Sequence, residues 1–139
     1  MDGMRFPSSI FHAYDIRGVY PREFNAATVA GLAGIIAARL YRSVPQKRPF
    51  VIGYDGRKDS AALAEAAGAV VEKQVGAPVV RIGLATTPMF YFFVHRLRSA
   101  GGIMITASHN PKQYNGMKVV GPDAAPIGGK EIENWKLQN

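Results

Sequence analysis

The sequence contains no cysteine. Disulfide scaffolds and thiolate metal sites are therefore excluded, and a reducing compartment such as the cytoplasm is the expected setting. It also lacks a long apolar run. The longest uncharged, mostly small-apolar stretch, Ala26 to Ala38, falls well short of the roughly 20 residues that span a bilayer, so no membrane partner is expected. Arg5 is followed by neither an apolar core segment nor a small-residue cleavage site, and a secretory signal is not expected. No stretch holds five consecutive Lys or Arg, which argues against a polybasic tail. No two aspartates stand as D-x-D, and no G-x-S-x-G occurs.

What is present is a soluble globular composition. The 139 residues suit one domain with a real core, and hydrophobic residues make up 47% against 19% charged. Seventeen Lys and Arg against ten Asp and Glu give a formal charge of +7. Such an excess suits an anion: nucleic acid, an acidic membrane or a phosphorylated small molecule. The cations are scattered rather than gathered into a stripe, which disfavours nucleic acid.

Along the chain, helical and strand patterns alternate. Asn25 is a plausible N-cap for a helix from Ala26 to about Tyr41, where Val29, Leu32, Ala33, Ile36 and Leu40 recur at helical spacing. Phe50 to Tyr54 reads as a buried strand and Asp55 to Asp59 as a turn. Asp59 or Ser60 then caps a helix to about Val75, stopped by Gly76. Pro78 to Leu84 is a second strand. Thr87-Pro88 predicts a helix start, and the run Met89 to Val94 predicts heavy burial of the helix that follows. Gly101-Gly102 is read as a break, Ile103 to Thr106 as a third strand, and Met117 to Val120 as a fourth after an Asn115-Gly116 turn. A loop from Pro122 to Gly129 precedes the first turns of another helix. The alternation predicts a three-layer α/β/α sandwich. Its sheet is mixed, mostly parallel, of about four strands flanked by helices. Ligands of such sheets bind beyond the carboxyl ends of the strands, which points to 55–59 and 107–114.

The second of these loops, Thr106-Ala107-Ser108-His109-Asn110-Pro111, holds a hydroxyl at the end of a buried strand, a position suited to a nucleophile or a phosphate carrier. An α/β-hydrolase reading fails for want of the nucleophile motif. His109 adjoins Ser108, and neighbours on an extended chain point to opposite sides, which makes it a poor base. His95, on an apolar helix, reads as structural, and His12 could serve only by folding close.

Four stretches together resemble the N-terminal domain of the α-D-phosphohexomutases, the phosphomannomutase/phosphoglucomutase family. They are Phe11-His12-Ala13-Tyr14-Asp15-Ile16-Arg17-Gly18, Gly53-Tyr54-Asp55-Gly56-Arg57, the serine loop itself, and Tyr114-Asn115-Gly116-Met117-Lys118. The resemblance implies that Ser108 carries a phosphoryl group. It passes that group to a sugar monophosphate, and a bisphosphorylated sugar turns around and returns its other phosphate. The net result interconverts hexose 1- and 6-phosphates, of mannose or glucose rather than glucosamine. Lys118 matches the family's general acid/base, and a lysine works so only where burial or nearby positive charge favours its neutral form. Arg17 matches an arginine near the phosphoserine, although it can equally pair with Asp15. His109 is expected to donate toward phosphate or substrate. Tyr14 and Asn110 are expected to bind substrate or phosphate, Asn110 also by holding the loop.

The resemblance further implies Mg²⁺, bound to Ser108 through its phosphate and otherwise by three aspartates in a D-G-D-x-D-R motif that this chain lacks. The expected setting is residues 1–139 as one domain of a four-domain cytoplasmic enzyme, with the remaining domains and a phosphosugar as partners and no turnover by this domain alone. The alternative is a non-catalytic α/β module that binds a phosphorylated ligand or a partner chain through the same loops.

Overall fold

A computed structural model of the chain describes residues 6–137, and Arg5 lies outside them. The elements run β1 (Ile16–Val19), α1 (Ala26–Leu40), β2 (Phe50–Tyr54), α2 (Ser60–Val70), β3 (Val79–Leu84), α3 (Thr87–Arg96), β4 (Gly101–Ile105), β5 (Tyr114–Val120), β6 (Pro126–Ile127) and α4 (Gly129–Leu137). A π-helical turn, Val71–Val75, extends α2, and Gly76 in the left-handed region (φ 73°) ends it.

The strands form a six-stranded mixed sheet in the order β1-β5-β4-β2-β3, with β6 beside β5. β4, β2 and β3 run parallel, whereas β5 is antiparallel to β4, β1 and β6. The two strands beyond the expected four, β1 and β6, are short edge elements of four and two residues. Neither carries enough apolar alternation to stand out in sequence.

The pleat sorts the strand side chains by face. Phe50, Ile52, Ile103, Ile105, Met117 and Val119 join the large core under α1, α2 and α4. Val51, Met104 and Val120 turn the other way, to Phe90 and Val94 of α3. The α/β/α layering is thus observed, but its layers are unequal.

Local chemistry explains most boundaries. The Asn25 side chain accepts the Thr28 N–H at 3.0 Å and so caps α1. At α3 the capping hydroxyl belongs to Thr86, which accepts from Met89 N at 3.2 Å, so the cap falls one residue before the expected Thr87 and the helix begins at Thr87 rather than Pro88. Asp59 stands at the N-cap of α2 without a side-chain cap bond.

Four other expectations are corrected. The α3 aromatic run is not wholly buried: Met89 is 45% and Phe92 57% exposed, because only one stripe of the helix meets the sheet. Gly101-Gly102 does not break the chain but begins β4. A Cβ on Gly102 would stand 2.3 Å from the Val51 carbonyl oxygen, so glycine is what lets the parallel strands approach there. Asn115-Gly116 lies inside β5 rather than in a turn, and the reversal from β4 is made by the serine loop. A Cβ on Gly116 would stand 2.2 Å from the Ile16 carbonyl oxygen of β1. Finally, His95 is not a core residue; its exposed ring lies with Nδ1 3.5 Å from Asp123 Oδ1.

Candidate active site

Because β2 and β4 are parallel neighbours with Tyr54 opposite Ile105, the chain leaves both strands at the same edge. Asp55 N–H donates to the Ile105 carbonyl (3.0 Å) and Thr106 N–H to the Gly116 carbonyl (2.9 Å), which anchors the start of each loop. The Thr106 hydroxyl then accepts the Ser108 N–H at 3.0 Å. Ser108 itself is exposed and sits at φ 55°. That left-handed conformation costs a non-glycine residue roughly 1–2 kcal/mol. It also removes the premise that Ser108 and His109 face opposite ways, and both line one cleft.

The cleft has a volume of about 780 Å³ and opens on the α3 side of the sheet. Four elements besides the serine loop furnish it. The 12–15 turn gives His12, Tyr14 and Asp15; β1 gives Arg17; the start of α3 gives Thr87, Pro88 and Tyr91; β5 gives Lys118. The His12 N–H bonds the Asp15 carbonyl at 2.9 Å, and Lys130 N–H at the start of α4 bonds the His12 carbonyl at 3.1 Å. This lashing presents Tyr14 to solvent, 86% exposed. Lys118 alternates with Met117 and Val119, whose side chains enter the opposite core, so the pleat turns its half-buried side chain to the cleft.

Ser108, His109, Lys118, Arg17 and Tyr14 therefore line one cavity. Asn110 does not line it. It lies in a second groove on the far side of Ser108, with Asp55, Arg57, Lys58 and Lys112, and its Oδ1 accepts from Arg17 Nη1 at 3.3 Å. Arg17 also stands 3.7 Å from Asp15 Oδ1, whose carboxylate is nearly buried. Arg17 thus faces the serine loop through Asn110 and also pairs with Asp15. Two cations, Arg17 and Lys118, line the cleft with a single carboxylate, Asp15, a balance that favours an anionic ligand.

The same residues do not compose a magnesium site by themselves. Among the described residues no three or more His, Cys, Asp or Glu are grouped to hold a metal ion. Asp15 and Asp55 each face an arginine instead. Magnesium's near-octahedral demand for oxygen ligands is not met here.

Sequence reasoning left two contributors without a role. His12 lines the cleft, brought there by the turn that closes on Asp15. Arg57 lies under the serine loop, and the available signal was that its turn follows the strand beside the one carrying Ser108.

Known proteins resemble this chain in sequence and in fold. A family profile described as phosphoglucomutase/phosphomannomutase, alpha/beta/alpha domain I, matches residues 8–135. A protein named phosphohexose mutases from Xanthomonas campestris pv. campestris (strain B100) is 44% identical over 117 residues, which are 84% of this chain and 25% of that protein. A phosphomannomutase/phosphoglucomutase from Pseudomonas putida is 38% identical over 135 residues, 95% of this chain and 27% of that protein. A crystal structure of a phosphoglucomutase/phosphomannomutase family protein from Burkholderia thailandensis superposes with a TM-score of 0.84 at 29% identity, covering 96% of this chain and 30% of that one. The chain thus spans about a quarter of the length of these curated relatives. By the family match over nearly its whole length, the chain belongs to the phosphoglucomutase/phosphomannomutase family and corresponds to the family's N-terminal domain I.

Proposed function

We propose that this domain carries the phosphoryl group of a phosphohexomutase, on Ser108, and that it works within a longer four-domain enzyme in the cytoplasm. The observation that supports the reading is the exposed Ser108 hydroxyl, held at a strand end in one cleft with Arg17, His109 and Lys118.

In the first transfer, a hydroxyl oxygen of a bound hexose monophosphate forms a bond to phosphorus as the bond from phosphorus to Ser108 Oγ breaks. The hydroxyl proton goes to Lys118, and a proton is taken up at Ser108 Oγ. The bisphosphorylated sugar then turns around. Its other phosphoryl group moves to Ser108 Oγ, which releases to solvent the proton it took up, while the bond from phosphorus to the sugar oxygen breaks and Lys118 protonates that departing oxygen. Such transfers depend on positioning and on neutralising the phosphoryl oxygens. Arg17 and His109 supply donors, Asn110 fixes Arg17 and the loop, and Tyr14 offers the substrate an exposed ring at the mouth. Mannose and glucose phosphates are the proposed substrates. Magnesium belongs to the assembled enzyme, with its carboxylates supplied from outside this chain, and no step is assigned to it here. This domain by itself is proposed not to turn over.

The test is a mutase assay with glucose 1-phosphate and mannose 1-phosphate on the product of the whole reading frame, with and without Ser108→Ala. Conversion to the 6-phosphate that vanishes in the variant supports the reading. Activity that survives the substitution refutes it. Absence of turnover with any hexose phosphate, alongside retained phosphosugar binding, favours the non-catalytic module.

A further inference from the structure

Beneath the serine loop, on the side away from the cleft, Arg57 uses its entire guanidinium. Nη2 donates to the carbonyls of Ser108 (2.9 Å) and Asn110 (2.6 Å). Nη1 donates to those of Pro111 (2.9 Å) and Tyr114 (3.2 Å). Nε stands 3.3 Å from Asp55 Oδ2. A guanidinium has five N–H groups in a rigid plane; here four carbonyls accept from the two Nη atoms and a carboxylate pairs with the charge beside Nε. The side chain is only 16% exposed.

Its anchor is fixed in turn. Asp55 Oδ1 accepts from Arg57 N (3.1 Å) and from the Ser60 hydroxyl (2.6 Å). The buried Asn115 amide donates to the same Ser60 oxygen at 3.1 Å. The clamp therefore ties the serine loop to β2, to the start of α2 and to β5, all rigid elements.

We infer that Arg57 is the positioning residue of the phosphoryl carrier: by gathering three loop carbonyls and the first carbonyl of β5 onto one cation it holds the backbone that keeps Ser108 left-handed and its hydroxyl presented. Four carbonyl oxygens turned to one point repel one another and lack partners unless a cation sits among them. The peptide planes add a second consequence. The plane whose carbonyl belongs to Ser108 carries the His109 N–H on its opposite edge, so pinning the carbonyl aims that donor away from the guanidinium. An ammonium has three donors on a flexible stem and cannot make this pattern.

The effect on catalysis rests on the function proposed above; the effect on the loop does not. The experiment uses Arg57→Gln, Arg57→Lys and Arg57→Ala in the whole-reading-frame protein, with Ser108→Ala alongside. For Arg57→Gln we expect kcat to fall by about 100-fold, the scale set by roughly 1 Å of misplacement, with KM held within about threefold. Hydrogen exchange in the peptide covering 106–114 should accelerate by about tenfold while β2 and β4 stay protected. Free guanidinium ion should restore activity to Arg57→Ala and none to Ser108→Ala. Arg57→Lys, which preserves charge, should show the same loop exchange defect in milder form.

Wild-type kcat and unchanged loop exchange in Arg57→Gln would overturn the inference, as would an Arg57→Lys protein indistinguishable from wild type. Should Arg57→Gln fail to fold, the lysine variant and the guanidinium rescue decide. If the wild-type protein shows no mutase activity, the proposed function fails while loop exchange still judges the clamp.

Discussion

The two faces of the sheet differ sharply. One is sealed by α1, α2 and α4 over a large core in which Leu32, Ile36, Phe50, Ile103 and Met117 are all fully buried. The other, among the described residues, is covered chiefly by α3, with a small cluster of Val51, Phe90, Val94, Met104 and Val120. The same strands feed both, and Met117 and Lys118, adjacent in sequence, end on opposite sides. The sealed face supplies apolar burial and hence stability. The thin face leaves room for a cavity at the strand ends, and it is there that a strained backbone and an excess of cations over carboxylates are tolerated. Function and stability are segregated by the pleat.

Substitutions can break or sharpen that contrast. The largest expected effect is Ser108→Ala on the open face: near-complete loss of mutase activity with an unchanged melting temperature. A companion Ser108→Gly should be equally inactive yet more stable by up to about 1 kcal/mol, since glycine adopts the left-handed region without steric cost; equilibrium urea unfolding reads the difference. Next is Leu32→Ala in the sealed core, expected to cost about 2–5 kcal/mol by the same unfolding measurement, through lost burial and a residual cavity. Its counterpart on the open face, Phe92→Ala, should change stability by no more than about 0.5 kcal/mol because that ring is mostly in water already. A large cost for Phe92→Ala would mean that the thin face is as load-sharing as the sealed one.

The smallest effect concerns pH. Partial burial of Tyr41 at the end of α1 pushes its phenol from 10.0 up to about 12, and its hydroxyl donates to the Arg48 carbonyl at 2.7 Å. The folded state therefore holds this proton longer than the unfolded one. Its contribution is fully present below pH 10, and it is lost as pH rises through about 12. Unfolding curves of wild type and Tyr41→Phe should diverge over that alkaline window and run parallel below it.

Legibility in the sequence followed the same division. Elements whose identity rests on local chemistry were readable: α1 from Asn25 and its apolar stripe, β2 from an unbroken apolar run, and the end of α2 from Gly76. What escaped depends on neighbours. Asn115-Gly116 carries the signature of a hairpin turn, yet Gly116 is there because β1 passes too close for a side chain. The aromatics of α3 read as core, but their exposure follows from only one stripe meeting the sheet. At the site, Ser108, Lys118, Arg17, His109 and Tyr14 are candidates only through family resemblance, since a serine in a loop announces little by itself. Arg57 stands in a motif that gives no sign of its role, because its partners are backbone carbonyls more than fifty residues away, and carbonyls leave no trace in sequence.

The central claim is that Ser108 stores a phosphoryl group. It is tested most directly by incubating the whole-reading-frame protein with a hexose 1,6-bisphosphate, digesting it and locating the phosphate by mass spectrometry. The account predicts phosphate on the peptide containing Thr106 to Lys112, at Ser108, and none in Ser108→Ala. Phosphate consistently on another residue, or undiminished labelling in the alanine variant, would contradict it.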